Sequence, residues 1–152
     1  MAVVVATRMK VARWRDMPRF LRGSVAAGRQ ARRSSGLLAG RLRAEAGGVY
    51  WTLTVWDSPQ DMHAFRDGGV HAILVPRLAG WASEAVFGVW TTDSRELPTW
   101  AEASRYIAEH PNFAPLDHPS QAHRDAQVIP ARRMGLDLPL RPSRTSQLAS
   151  RA

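Results

Sequence analysis

The stretch that decides the fold is residues 50–90, which read YWTLTVWDSPQDMHAFRDGGVHAILVPRLAGWASEAVFGVW. Residues 50–56 alternate in character and predict a strand. A helix start follows, because Ser58 can cap the first free amides, Pro59 suits the first helical position and Asp61 places a carboxylate at the positive helix end. This run therefore predicts a strand that leads directly into a capped helix.

The remaining elements predicted from periodicity are a strand over residues 3–9, a helix over 18–33, a strand over 37–43 that forms a hairpin with 50–56, and a last strand over 84–91. Gly68 and Gly69 are expected to bend or interrupt the second helix, since each glycine costs about 1 kcal/mol relative to alanine. The predicted fold class is therefore α+β, a ferredoxin-like βαββαβ unit with a four-stranded antiparallel sheet and both helices on one face.

The C-terminal third begins with a further helix signal. Thr99 and Glu102 form a reciprocal capping box, which predicts a short third helix over residues 100–109. From residue 112 onward the periodicity fails and five prolines are scattered among polar residues. We therefore expect one domain over residues 1–110, followed by an extended, partly disordered basic tail over 111–152.

The composition excludes several functional classes. The chain has 152 residues, 45% of them hydrophobic, and no cysteine, which excludes disulfides, thiolate catalysis and cysteine-ligated metals. No apolar run approaches the roughly 20 residues of a membrane span, and the first residues lack the pattern of a signal peptide. We expect a cytoplasmic protein without a membrane partner.

The net charge of +8 is distributed unevenly. Residues 1–50 hold 11 basic and 2 acidic residues, residues 51–130 hold 5 and 10, and residues 131–152 hold 5 and 1. In the first helix a stripe of arginines lies opposite the apolar side, a pattern typical of a solvated outer face, with an anion or nucleic-acid surface as the alternative. No nucleic-acid reading motif is present, so nucleic acid is not expected as a partner. The stripe consists of Arg15, Arg19, Arg22, Arg29 and Arg33.

The two faces of the strand at residues 50–56 differ in character. Trp51, Leu53 and Val55 point one way and suit packing under the helices. The other face mixes hydroxyl groups with large rings, which is typical of a pocket wall. Its members are Tyr50, Thr52, Thr54 and Trp56.

Several short motifs carry a family resemblance. They are Thr52-Leu53-Thr54-Val55-Trp56, Ala64-Phe65, Gly69-Val70-His71 and Val89-Trp90. Over residues 1–110 the chain resembles the dimeric α/β-barrel superfamily, which includes antibiotic-biosynthesis monooxygenases, haem-degrading monooxygenases and spheroidene-monooxygenase-like proteins. The resemblance implies a homodimer in which two sheets face each other, with a pocket in each subunit between sheet and helices.

The resemblance also implies a monooxygenase-like enzyme for a hydrophobic aromatic or polyketide-type substrate, either free of cofactor or assisted by haem. The catalytic candidates are His71, Tyr50 and Arg41, the last only if its side chain shares a face with Tyr50. His71 would ligate the iron if haem is bound. Thr7 and Arg8 occupy the region where many haem-degrading members carry asparagine, which disfavours haem degradation. The expected substrate contacts are Thr52, Thr54, Trp56, Trp90 and Phe65.

Other interpretations of these residues remain open. The protein could be a cyclase or isomerase of the same fold, or a ligand-binding protein without turnover. His71 could be a packing residue, and the eight-residue spacing to His63 puts the two imidazoles on different faces of a continuous helix. Asp117, His118 and His123 form a weak metal-ligand set in an irregular segment.

Overall fold

The computed structural model of the protein describes residues 1–143. Its elements in chain order are β1 (Ala2–Val11), α1 (Met17–Arg33), β2 (Leu37–Glu45), β3 (Val49–Trp56), α2 (Pro59–Asp67), α3 (Gly69–Trp81), β4 (Ala82–Thr92), α4 (Trp100–Glu109), β5 (Asn112–Phe113), α5 (Gln121–Arg124) and β6 (Leu136–Pro139). The predicted α+β class with an antiparallel sheet is confirmed. None of the helices within residues 1–143 is long and apolar enough to cross a bilayer.

The helix boundaries follow the predicted capping chemistry. Ser58 accepts a hydrogen bond from the Asp61 backbone at 3.1 Å, and Thr99 and Glu102 form the reciprocal capping box at the start of α4. The predicted interruption at Gly68 and Gly69 is confirmed, because α2 ends and α3 begins there. Gly69 has φ +56°, a conformation that L residues rarely adopt.

The sheet has six strands in the order β5-β4-β1-β3-β2-β6, so the prediction of four strands is wrong. The two additional strands come from the segment that was expected to be an irregular tail. Phe113 of β5 pairs with Val86, and Leu138 of β6 pairs with Leu42. Strands of two and four residues are too short to show a period of two, which explains why the sequence pattern did not reveal them.

The segment after α4 is packed onto the sheet as far as the structure describes it. Leu140 is only 6% exposed and lies against Gly40, and the Ser143 backbone donates a hydrogen bond to the Arg32 carbonyl at 2.7 Å. Residues 112–139 therefore contain β5, α5 and β6 where an extended, partly disordered tail was expected from residue 111. Residues 144–152 lie outside the described residues.

The sheet has two faces, which we call the helix side and the closed side. The helix side carries Tyr50, Thr52, Thr54 and Trp56, and α1 and α2 pack there, because Phe20 contacts the Tyr50 ring and Phe65 contacts Trp56. This contradicts the expectation that Trp51, Leu53 and Val55 lie under those helices. Alternation separates the faces of a strand, but it does not tell which face the helices cover.

The closed side is the opposite face, and it is filled from within the same chain. Trp51, Leu53 and Val55 are fully buried there. Their cover consists of Trp100, Ala103 and Ile107 from α4, with Val128 and Ala131 packed against them. The sheet face through which the resemblance implies that two subunits meet is therefore covered within a single chain, and the homodimer stays a prediction of the resemblance.

Candidate functional site

The helix side is the incompletely filled face of the sheet. Thr52, Thr7 and Phe87 are neighbours in register on three adjacent strands and share this face. Both threonines are half-buried and Phe87 is 38% exposed, whereas the closed side is completely buried along β3. Helix α3 contains no buried residue. Solvent, and hence a small ligand, can reach the sheet from this side.

Four of the predicted site residues come together at one end of the helix side. The Trp56 ring stacks on Phe65 with centroids 5.0 Å apart, and Phe65 contacts the His71 ring at 4.6 Å. The Trp56 indole donates a hydrogen bond to the Thr54 hydroxyl at 3.0 Å. This arrangement forms a continuous aromatic row from the sheet across α2 to α3.

Two other predicted residues lie away from this row. Tyr50 is six residues from Trp56, about 20 Å of extended strand, and its hydroxyl contacts the Met17 sulfur at 3.0 Å. Arg41 pairs in register with Leu53, so its side chain is on the closed side, opposite Tyr50. The condition for Arg41 as a partner of Tyr50 is not met, and the predicted catalytic set is not assembled.

An open groove of about 460 Å³ lies beside α2 and falls in the size range of small-molecule sites. Its lining is mainly apolar, with one imidazole, one phenol and one indole. The lining residues are Val3, Pro59, Met62, His63, Val89, Trp90, Thr91 and Tyr106.

Trp90 is the predicted substrate contact that borders this groove. Its ring stacks on Tyr106 with centroids 4.3 Å apart, and the Tyr106 hydroxyl donates to the Val89 carbonyl at 3.2 Å. Sequence reasoning missed His63 and Tyr106. Tyr106 belongs to α4, and no local pattern indicates that α4 lies beside the end of β4.

The hydrogen bonds around His71 define its tautomer. Its Nδ1 lies 2.9 Å from the Arg66 carbonyl, which can only accept, so the neutral ring carries its proton on Nδ1 and keeps a lone pair on Nε2. The His71 backbone donates to the Gln30 side-chain oxygen at 2.9 Å, and the Gln30 amide donates to the Phe65 and Gly68 carbonyls. We call this set of three hydrogen bonds the Gln30 clamp. It joins α1 to the junction of α2 and α3.

The side chains near His71 fit haem poorly. Nε2 could serve as one axial ligand, but the ring lies against Phe65, and the groove beside α2 does not reach it. Thr7 faces the helix side, whereas Arg8 points to the closed side and forms a buried ion pair with Glu84 at 2.5 Å. We derive no step through haem.

Metal sites made of histidine and carboxylate are not assembled within residues 1–143. His63 and His71 belong to separate helices. Both ring nitrogens of His123 contact the backbone, Nε2 at 3.0 Å from the Ala114 carbonyl and Nδ1 at 3.5 Å from the Ala85 nitrogen. The set of Asp117, His118 and His123 does not form a coordination sphere.

Burial and charge act against each other at Glu84 on the closed side. Burial disfavours the ionised carboxylate, but the hydrogen bond and charge of Arg8, with help from Ser120, hold the pKa of Glu84 below its ordinary value. The carboxylate is therefore ionised at neutral pH and balances the buried guanidinium. This pair holds β1 to β4 and lies on the face opposite the groove floor.

No protein-family model and no curated protein matches this sequence. Solved structures do share its fold. SnoaB, a cofactor-independent oxygenase from Streptomyces nogalater, is 16% identical with a TM-score of 0.51, and the match covers 64% of this chain and 98% of SnoaB. A Nitrosomonas europaea protein provisionally assigned as an antibiotic biosynthesis monooxygenase is 13% identical with a TM-score of 0.54, over 60% of this chain and 90% of that protein.

A conserved protein from Methanosarcina mazei Go1 is 11% identical with a TM-score of 0.54, and the match covers 61% of this chain and 94% of that protein. These likenesses define the fold class: the chain has the fold of antibiotic-biosynthesis-monooxygenase-like proteins, as the resemblance predicts. The matched proteins are covered almost completely, so the remaining residues of this chain have no counterpart in them.

Proposed function

We propose that this protein is a monooxygenase-like enzyme that oxidises a hydrophobic aromatic or polyketide-type substrate without a cofactor. The observation that carries the proposal is the groove beside α2, in which an imidazole, a phenol and an indole interrupt an apolar lining. Such a groove holds a flat ring system by contact and offers only a few polar groups to orient it. The shared fold with SnoaB supports the same chemistry.

The proposed reaction needs a base and an electron-rich substrate. An imidazole removes a proton from a phenol-activated CH₂ group, and the resulting carbanion reacts with O₂. One oxygen atom becomes a carbonyl oxygen in the product and the other leaves as water, so that CH₂ and O₂ give C=O and H₂O. The apolar part of the lining holds the substrate ring by contact, and the imidazole takes up the proton.

Two imidazoles compete for the role of base. His63 lines the groove, whereas His71, the candidate from sequence, lies outside it with its ring tilted against Phe65. We propose that His63 is the base, because its imidazole lines the groove. Tyr106 and Trp90, whose rings stack at the groove wall, are proposed to contact the substrate ring.

Oxygen uptake with anthrone as the probe tests this proposal. We expect His63→Gln to lower kcat/KM by about 100-fold, the contribution typical of a general base. His71→Gln is expected to lower it much less, and His118→Gln, which removes an exposed imidazole elsewhere, is expected to leave it unchanged. If only His71→Gln abolishes uptake, the base is His71. Wild-type protein that consumes no oxygen with a panel of anthrones and phenols would overturn the oxygenase proposal.

A cyclase or isomerase is the second candidate, because a base in an apolar groove can move a proton without oxygen. Substrate loss under argon, at the rate seen in air, would favour it. Ligand binding without turnover would instead quench the fluorescence of Trp90 in the groove while the ligand is recovered unchanged.

A further inference from the structure

The arginine stripe along the outer surface of α1 carries positive charge that no ion pair within residues 1–143 neutralises. The arginine stripe of α1 is exposed, and none of its guanidinium groups takes part in the ion pairs found within residues 1–143. Neither α1 nor α3 contains an acidic residue. The members of the stripe are Arg15, in the turn just before α1, and Arg19, Arg22, Arg29 and Arg33 of α1.

Helix α3 runs antiparallel to α1 beside this stripe. Gly23, near the start of α1, lies against Leu74 in the middle of α3, and Gln30, near the end of α1, lies against Gly69 at the start of α3. The two helices therefore run in opposite directions. Val70 and Ile73 are one turn apart on the outer side of α3, and they are 36% and 58% exposed. Apolar side chains therefore line up next to the arginines.

A second open groove, of about 500 Å³, lies in the valley between these two helices. Arg29 and Arg33 form its basic wall, and Val70 belongs to the other wall. From Gly69 to Arg77 the outer line of α3 extends about 12 Å, which corresponds to about two turns of a docked helix. The groove meets α3 at Gly69 and Val70, and the exposed side chain of Ile73 continues the apolar side beyond it, so the surface has one charged and one apolar side.

We infer that this valley docks an acidic amphipathic helix of another protein, with its carboxylates on the arginine stripe and its apolar residues on Val70 and Ile73. Charge complementarity argues for an acidic partner, and the exposed aliphatic wall argues for one that also presents apolar side chains at helical spacing. A nucleic acid would leave Val70 and Ile73 without a partner. A bilayer surface is flat and would not fill a valley between two helices.

A labelled helical peptide of about 16 residues, with glutamate and leucine on opposite faces, tests the inference by fluorescence anisotropy with the full chain. We expect a micromolar Kd that weakens with salt, as screened charge pairs do. The double variant R29E/R33E is expected to weaken binding by about tenfold or more, and Ile73→Ser by a few fold. A matched double variant, R105E/R133E, changes the net charge equally at two exposed sites elsewhere and is expected to stay within about twofold of wild type.

The outcomes separate the possible partners. Equal losses in the two double variants would overturn the inference, because the attraction would then be a matter of net charge alone. Failure of the acidic peptide to bind, or equal binding of a peptide with the same composition in scrambled order, would also overturn it. Vesicles with 30% phosphatidylglycerol and a DNA duplex test the other ligands. If either binds more tightly than the peptide, and this binding depends on Arg29 and Arg33, the surface binds that ligand instead. The far-UV spectrum and Tm of each variant report whether it is folded.

Discussion

The backbone N–H of His71 donates a hydrogen bond to the side-chain oxygen of Gln30, 2.9 Å away, so a residue of α1 fixes the first turn of α3. The same side chain donates to two carbonyls near the end of α2. One glutamine therefore sets the angle between two helices that have no continuous backbone hydrogen bonding across Gly68. It also fixes the backbone position from which the His71 ring reaches the Arg66 carbonyl.

Gln30→Leu keeps the size of the side chain and removes all three hydrogen bonds. We expect it to lower the free energy of unfolding by about 2–3 kcal/mol, because the partners are partly buried and lose these three hydrogen bonds to α1. Urea unfolding measures this change. Gln60→Leu, at an exposed position of α2, is the control and should change the free energy by less than about 0.5 kcal/mol. Equal effects of the two variants would contradict the clamp.

The same variant should also change the ring of His71. In the wild type we expect ¹⁵N chemical shifts of the Nδ1–H tautomer, because Arg66 offers only an acceptor. Gln30→Leu releases the start of α3, and the shifts should move toward the mixture of tautomers seen in free histidine. Unchanged shifts would mean that Arg66 alone orients the ring.

Leu140 tests whether the segment after α4 belongs to the folded unit. Leu140→Ala is expected to cost about 2–4 kcal/mol, since a buried leucine that packs on Gly40 is truncated. Leu138→Ala removes the same atoms at a position that is 54% exposed, two residues away, and should cost much less. Denaturant midpoints at equal m-values compare the two. Similar small costs would indicate that the segment contributes little to the fold.

The ion pair of Arg8 and Glu84 predicts a dependence of stability on pH. The pKa of Glu84 is lowered in the folded protein, so its contribution is present above the ordinary pKa of 4.5 and is lost as the pH falls through the folded value. Glu84→Gln leaves a buried guanidinium without its counter-charge and should cost about 3–5 kcal/mol at pH 7. The difference between wild type and variant should narrow below pH 4.5. A difference that is constant between pH 7 and pH 3 would contradict this account.

The homodimer implied by the resemblance would require a surface other than the closed side. Trp51 and Leu53 are already buried by α4 in one chain, so a second copy has to cover different residues. Light scattering should give about 34 kDa, twice the 16.9 kDa of the chain. A mass near 17 kDa would contradict the dimer.

Local chemistry accounts for what could be predicted from the sequence. The caps at Ser58 and Thr99 and the break at Gly68 depend on neighbouring residues alone, and the structure shows all three. The first four strands along the chain were predicted from hydrophobic patterns that are each five residues or longer. These features needed no knowledge of how distant parts of the chain meet.

The candidate site could be predicted only in part, because it depends on distant contacts. Trp56, Phe65 and His71 lie within sixteen residues, and the fold brings their rings together. The groove also requires Tyr106 to lie beside Trp90, a contact between α4 and β4 that no spacing indicates. The prediction that Arg41 shares a face with Tyr50 was wrong for a related reason. The register of a strand is set by its pairing with the neighbouring strand and cannot be derived from its own sequence.

The position of β6 has a consequence for the order in which the chain can fold during synthesis. Arg43 of β2 and Asp137 of β6 are 94 residues apart in sequence, yet their side chains form a bidentate pair at the sheet edge. During translation, β2 therefore presents an unpaired edge until residues 136–139, which form β6, have been made. The nascent protein has to keep that edge from pairing with other chains until β6 covers it.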